Sequence, residues 1–314
     1  MSGLLLLFPG QGSQSVGMAE YLWEYPSARA IFAQAGEALG WDIGELCRHG
    51  SMEELTRTDR TQPAVLTCSA AVWKLMEEEG ASFTVAAGHS LGEYSALVAT
   101  GHLDFADALR VVEQRGRAML ACGEERGGAM AAIIGLEEDV AEEICASLAD
   151  VWLANYNSPG QIVISGSVES VAAAARLAED RGAKRVLSLP VSGAFHTPYM
   201  AGAAEALAAA LAQVEFRPAG GKGRFYSTTE MRYPAVGELA DVMTRQLMSP
   251  VKFAQSLGEL LQGPGAPEHG LEVGPGNVLT GLVRRIARDF AMGTTGETDS
   301  LRQALGAVAT PGGR

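Results

Sequence analysis

The stretch Phe83-Thr84-Val85-Ala86-Ala87-Gly88-His89-Ser90-Leu91-Gly92-Glu93-Tyr94-Ser95-Ala96-Leu97-Val98-Ala99 decides the fold. Its first five residues are strand-like and its last seven read as helix. Between them Gly88-His89-Ser90-Leu91-Gly92 matches the G-x-S-x-G nucleophile elbow, a sharp strand-to-helix turn that holds a serine hydroxyl in the open. The two glycines let neighbouring backbone pass close to a strained turn. A serine at that apex points to acyl chemistry.

Working outward, residues 4–8 (Leu4-Leu5-Leu6-Leu7-Phe8) read as a buried first strand. The run is too short for a signal peptide, has no basic residue before it, and stops at Pro9-Gly10. Helical patterns follow over 26–40, 62–79 and 104–122, and strands over 225–228 and 271–274. The alternation predicts an α/β fold: a large α/β-hydrolase-like subdomain with a parallel sheet. Residues 127–194 differ. Strands at 129–135, 151–155, 161–165 and 185–191 and helices at 137–149 and 168–181 give the order β-α-β-β-α-β, the ferredoxin-like signature. The chain therefore divides into a large subdomain, 1–126 with 195–314, and a small inserted one, 127–194. Residues 293–314 are Gly/Thr-rich and expected to be loose.

Composition excludes several classes. Hydrophobic residues make up 47% and charged residues 19%, a globular balance, and the net charge of −13 argues against a nucleic-acid binder. No apolar run reaches the length of a membrane span. Cys47, Cys68, Cys122 and Cys145 form neither a C-x-x-C pair nor a cluster with histidine, so reduced thiols in a cytoplasmic protein without a metal are expected.

A serine nucleophile needs a base. Of five histidines, His196 follows a strand and precedes Thr197-Pro198, a helix N-cap with proline at the first position. His49, His102 and His269 look like surface or loop residues, and His89 points away from its neighbour Ser90. Asp104, Asp107, Asp139, Asp150 and Asp180 lie between Ser90 and His196, but none has the context of a triad acid, and Asp104 looks like a helix cap. A neutral acceptor such as a backbone carbonyl would then hold the histidine. On the helix 104–122, Ala108, Val111, Val112, Met119 and Cys122 fall within about 60° of Arg115, whereas Arg110 and Arg117 fall on the far side. A buried arginine either makes an internal ion pair or clamps a ligand carboxylate. Gln11, in a Gly-flanked loop after the first strand, could turn a backbone N–H toward an oxyanion.

Five motifs in order then carry a resemblance: Phe8-Pro9-Gly10-Gln11-Gly12-Ser13-Gln14, Gly88-His89-Ser90-Leu91-Gly92-Glu93-Tyr94, Gln114-Arg115-Gly116, Gly193-Ala194-Phe195-His196 and Glu272-Val273-Gly274-Pro275-Gly276. From Leu4 to about Arg288 the chain resembles the malonyl-CoA:acyl carrier protein transacylases of fatty acid synthesis and the related acyltransferase domains of polyketide synthases. The resemblance implies that Ser90 is the nucleophile, His196 its base and then the acid for the leaving thiol, and Gln246 the residue whose backbone carbonyl orients His196. It implies an oxyanion hole from the N–H groups of Gln11 and Leu91, and Arg115 as partner of the malonyl carboxylate. Phe195 matches the position that separates malonyl-type enzymes from those taking branched units. Leu91, Met119 and Val278 are candidate pocket residues, and Asn157 matches a family asparagine near the site.

The implied partners are malonyl-CoA and an acidic acyl carrier protein, for which Lys184-Arg185 and Arg284-Arg285 with Arg288 are the candidate basic face. Coenzyme A enters as substrate. No other cofactor is implied, and a monomer is expected. Competing readings are a serine thioester hydrolase, a stand-alone polyketide acyltransferase, the malonyl transferase of a malonate decarboxylase, and a non-catalytic carrier-binding module. Intact Ser90, His196 and Arg115 argue against the last.

Overall fold

Leu4 to Phe8 is buried along its whole length, as a central parallel strand covered on both faces must be. The computed structural model, which describes residues 3–191 and 193–309, sets this strand at the middle of a sheet. The chain runs β1 (Leu4–Phe8), α1 (Pro26–Leu39), α2 (Ile43–His49), α3 (Met52–Thr56), α4 (Thr58–Glu78), β2 (Val85–Gly88), α5 (Gly92–Ala99) and α6 (Phe105–Arg126). It continues through β3 (Ala129–Ile134), α7 (Glu138–Ala146), β4 (Val151–Ser158), β5 (Gln161–Gly166), α8 (Val168–Asp180) and β6 (Arg185–Ser188). It returns as α9 (Ala201–Leu211), β7 (Arg224–Tyr226), α10 (Leu239–Gln246), α11 (Phe253–Gln262), β8 (His269–Glu272), α12 (Val278–Ile286), β9 (Ala291–Thr294) and α13 (Thr298–Ala309).

The larger sheet has the order β7-β2-β1-β8-β9, with every pairing parallel. Alternation along β1 sorts its side chains between two cores. Leu4, Leu6 and Phe8 join the apolar faces of α1, α4, α5 and α6, while Leu5 and Leu7 meet Phe253, Leu257, Leu279 and Val283 of α11 and α12. The smaller sheet has the order β4-β5-β3-β6, antiparallel throughout. Helices α7 and α8 bury Ala141, Ile144, Val171, Ala174 and Ala178 against it, completing a ferredoxin-like unit. The small sheet is tied to the large subdomain where Val251, in the segment before α11, donates to Ala154 O and accepts from Tyr156 N, both at 2.9 Å.

The C-terminal stretch is not loose as far as it is described. β9 pairs with β8, and α13 buries Leu301 and Ala304. Its glycines mark close packing rather than freedom: a Cβ on Gly296 would lie 2.6 Å from Gly276 O. Residues 310–314 lie outside the described part. Of the histidines read as surface or loop residues, His269 differs, because it begins β8, whereas His102 lies in the loop between α5 and α6 but is buried there, with Nδ1 bonded to Arg217 O at 2.6 Å. The strand expected over 185–191 ends at Ser188, and α4 starts four residues before the expected 62.

Candidate active site

The elbow forms because β2 must turn straight into α5 beneath the end of β1. A Cβ on Gly92 would lie 1.9 Å from Phe8 O, and one on Gly88 would lie 2.0 Å from the carbonyl carbon of Gly92. Only glycine fits either position. Ser90 between them has φ 51°, and His196 has φ 61°. Backbone in this left-handed region is costly for residues with a side chain, and here it is held by tight packing on either side.

Ser90 Oγ lies 2.8 Å from His196 Nε2. His196 Nδ1 faces two backbone carbonyls, Gln246 O at 2.9 Å and Ser249 O at 3.1 Å. Carbonyls only accept, so Nδ1 carries the proton and Nε2 presents its lone pair to the serine hydroxyl. Neutral acceptors do the orienting work that an acid does in a triad. Burial, followed by the Arg115 charge, pushes the His196 pKa down to about 3, so the free base is the resting form.

Arg115 is the largest fully buried side chain, 1% exposed. Arg110 and Arg117 lie outside on the same helix, paired with Asp107 and Glu113. Arg115 donates Nη1 to Gln62 Oε1 at 2.6 Å, and Nη2 to Ser90 Oγ and Gln246 Oε1 at 3.1 Å each. Among the described residues its Nε has no hydrogen-bond partner and no carboxylate forms an ion pair with it. Of its five N–H donors, three meet acceptors. A buried, incompletely paired guanidinium next to a serine–histidine pair offers a receptor for a carboxylate on the same molecule that the serine attacks. Burial lowers the Arg115 pKa from its ordinary value.

The remaining expected residues fall around this core. Leu91, Met119 and Phe195 are buried, and Met119 Sδ takes a hydrogen bond from Gln62 Nε2 at 3.3 Å. Leu91 precedes α5, and neither its N–H nor that of Gln11 donates to a protein acceptor among the described residues. The Gln11 side chain reaches Thr58 Oγ1 at 3.3 Å. Asn157 Oδ1 accepts from His89 Nε2 at 2.8 Å, so the asparagine meets the elbow through His89 rather than Ser90. Val278 opens α12 and, unlike the other three apolar residues, is 45% exposed. An open cavity of about 560 Å³ leads to His196 between Trp152 and Tyr156 of β4 and Pro198, Met248 and Pro250.

Sequence reasoning missed Gln62, Ser249 and Glu93. Glu93 was quoted only as part of a motif, yet it is wholly buried and accepts hydrogen bonds from Gln246 Nε2, Thr228 N and Ser227 Oγ. Burial pushes its carboxyl up to about 7. A charged residue in the apolar run after the elbow was the available signal. Gln62 and Ser249 gave none, because their roles depend on helices that meet only in the fold. Among the described residues no group of three or more His, Cys, Asp or Glu side chains could hold a metal ion.

Residues 5–299 match the acyl transferase domain family. The malonyl CoA-acyl carrier protein transacylase of Escherichia coli (strain K12) is 42% identical over 311 residues, which cover 97% of this chain and 99% of that one. The protein of the same name from Bacillus subtilis (strain 168) is 39% identical over 321 residues, 97% of each. Among solved structures, a malonyl-transacylase in complex with the holo acyl-carrier protein of a type II polyketide synthase superposes with a TM-score of 0.93 at 38% identity, covering 98% of this chain and 100% of that one. The malonyl CoA-acyl carrier protein transacylase of Coxiella burnetii gives 0.92 at 35% identity over 98% of each.

Proposed function

The chain belongs to the acyl transferase domain family, and on that footing we propose that it moves a malonyl group from malonyl-CoA to the pantetheine thiol of an acyl carrier protein through a Ser90 ester. The observation that carries this reading is the buried Arg115 guanidinium, without an ion-pair partner among the described residues and 3.1 Å from Ser90 Oγ. A plain esterase has no use for a buried cation there, whereas a malonyl thioester carries a carboxylate to meet it.

In the first half-reaction Ser90 Oγ attacks the thioester carbonyl as its proton passes to His196 Nε2. The N–H groups of Gln11 and Leu91 hold the resulting oxyanion, each such donor being worth roughly 3 kcal/mol. The intermediate collapses, the C–S bond breaks, and His196 returns its proton to the coenzyme A sulfur. In the second half-reaction the carrier thiol gives its proton to His196 and attacks the ester, and Ser90 leaves with that proton. Carbonyls of Gln246 and Ser249 stabilise the imidazolium in both halves. Phe195, Met119 and Leu91 form the acyl pocket, where the Phe195 ring crowds an α-methyl branch. Beyond the thioester donor and the thiol acceptor the reaction needs no cofactor.

A basic face suits an acidic carrier. Lys184 and Arg285 are a hundred residues apart in sequence, yet the turn before β5 joins them. Arg285 Nη1 donates to Gln161 Oε1, Gly160 lies against Gly135, and Gly135 lies against Lys184. With Arg185, Arg284 and Arg288 these residues form the proposed carrier-docking surface. We assign residues 1–126 and 195–314 to a catalytic subdomain and 127–194 to the small one, with the reaction between them. Among the described residues no helix is long and apolar enough to cross a membrane, and a cytoplasmic monomer is the proposed state. The carrier of fatty acid synthesis is the first candidate, and a type II polyketide carrier the second, because a relative was solved with one.

Intact-mass spectrometry after mixing with malonyl-CoA, followed by a chase with holo carrier, tests the proposal. A malonyl adduct on Ser90 that moves to the carrier supports it. An adduct released only as free malonate points to a hydrolase, and no adduct refutes the assignment.

A further inference from the structure

We propose that Glu93 is a positioning residue of the acyl-transfer site: it fixes the orientation of the Gln246 side-chain amide and thereby the seat of the Arg115 guanidinium. The inference rests on the malonyl-transfer reading above and adds to it what sets the acyl selectivity.

Gln246 touches the site from two sides. Its backbone carbonyl accepts from His196 Nδ1 at 2.9 Å, and its side-chain Oε1 accepts from Arg115 Nη2 at 3.1 Å. A primary amide has two nearly isosteric ends, so something must decide which end faces the arginine. Ionised, as it is above the pKa of about 7 to which burial raises it, Glu93 does so by accepting at Oε2 from Gln246 Nε2 at 2.7 Å, a contact that a carboxylate makes only with a donor, and the assay below is run above that pH. The same Nε2 also donates to Ser90 O at 3.1 Å, which ties the amide to the elbow. Glu93 itself cannot drift. Its other oxygen accepts from Thr228 N at 2.6 Å, Ser227 Oγ at 3.2 Å and Thr229 N at 3.3 Å, beside the Thr228 hydroxyl, which lies closer to Gly88 O. Every donor aimed at Glu93 calls for an acceptor, and the charge of Arg115 lies one amide away.

Replacing Glu93 by glutamine keeps the size and one carbonyl oxygen. That oxygen satisfies the Ser227–Thr229 donors, so the new NH2 faces the NH2 of Gln246. Two donors repel. The Gln246 amide must turn, which sets its NH2 against Arg115 Nη2 and its oxygen against Ser90 O. The guanidinium then loses an acceptor and gains a repulsion at the edge that meets the substrate. The Gln246 backbone, which holds His196, stays on α10.

The test compares the full-length wild type with Glu93→Gln and Gln246→Met. Steady-state transfer from malonyl-CoA is measured beside labelling of Ser90 by acetyl-CoA, with circular dichroism to verify the fold. Glu93→Gln is expected to raise KM for malonyl-CoA about tenfold, the worth of one charge-assisted hydrogen bond. It should leave kcat within about threefold, so the malonyl-to-acetyl preference narrows. Gln246→Met removes the amide whose orientation Glu93 sets, so Glu93→Gln made in that background is expected to leave KM for malonyl-CoA where Gln246→Met alone puts it, and a further rise there overturns the proposal even if Glu93→Gln does not fold by itself. A folded variant with wild-type KM and selectivity overturns the proposal. So does an equal fall in malonyl and acetyl transfer, the mark of a merely structural role. If the wild type itself forms no malonyl-Ser90, the transfer reading fails and takes this one with it, whereas a wild-type adduct beside unchanged variants sinks this one alone.

Discussion

Replacing Arg115 by alanine should convert a malonyl-selective site into a weakly selective one. The guanidinium has no ion-pair partner among the described residues and lies in the protein interior, so a malonyl carboxylate would meet it without competition from water. Two charge-assisted hydrogen bonds in such a setting contribute about 1.5–3 kcal/mol each. Their loss is worth about 3–6 kcal/mol, or roughly 10²- to 10⁴-fold in kcat/KM for malonyl-CoA. Acetyl transfer should not fall, for a second reason visible in the geometry. The Arg115 charge is one of the causes that hold the His196 pKa down to about 3. Removing the cation makes His196 a stronger base, whereas in the wild type a bound malonyl carboxylate neutralises the same cation. Acetyl transfer by the variant should therefore equal or exceed that of the wild type. The assay is stopped-flow or quenched-flow acylation of Ser90 by each thioester, read by intact mass, on protein whose circular dichroism matches the wild type. A folded Arg115→Ala that still prefers malonyl by the wild-type ratio refutes the carboxylate clamp.

His196 also carries a stability prediction. Its pKa is lowered from 6.5 to about 3, so between these values the unfolded chain binds the extra proton, and stability falls as pH drops through that window, by about 1.4 kcal/mol per unit. His196→Gln removes that slope, and urea curves at pH 4.5, 5.5 and 6.5 should show it gaining on the wild type toward acid; parallel curves would contradict the buried neutral histidine. Glu93, whose raised pKa acts in the opposite direction, is common to both proteins and cancels in the difference. Gly92→Ala should cost at least about 3 kcal/mol or prevent folding, because its Cβ meets backbone at 1.9 Å, whereas Gly281→Ala in α12, with open space around it, should stabilise by about 0.5–1 kcal/mol in urea melts. Reversing charge at Arg284 and Arg285 together should raise KM for the carrier about three- to tenfold at low salt and leave KM for malonyl-CoA unchanged, and unaltered carrier kinetics would remove the docking face.

Much of the architecture was legible because it rests on local patterns. The all-apolar Leu4–Phe8, the elbow glycines and the spacing of strands and helices over 127–194 report burial and turns directly, and each follows from period and backbone sterics. Arg115 could be placed on the buried stripe of its helix from periodicity alone. The C-terminal stretch misled because glycines that permit close packing look like glycines that permit disorder; only the contact of Gly296 with Gly276 distinguishes them. Val278 was grouped with the pocket by resemblance and is 45% exposed at the start of α12.

The two-sheet plan, a serine at a strained turn, a histidine before a helix cap and a cation on a buried helix face can all be read from local patterns of residues. Tertiary structure decided how these met. His196 is oriented by carbonyls of Gln246 and Ser249, and Arg115 is seated by Gln62 and Gln246, in a lattice anchored by Glu93. Those partners are 50 or more residues distant along the chain from the group they hold, and backbone carbonyls belong to every residue type. Gln246 was named only through the resemblance, and no local residue pattern announces Gln62 or Ser249. Hydrogen bonds between distant segments exist only after hydrophobic burial has brought α4, α6 and α10 around the end of β2, and that convergence is a property of the packed chain.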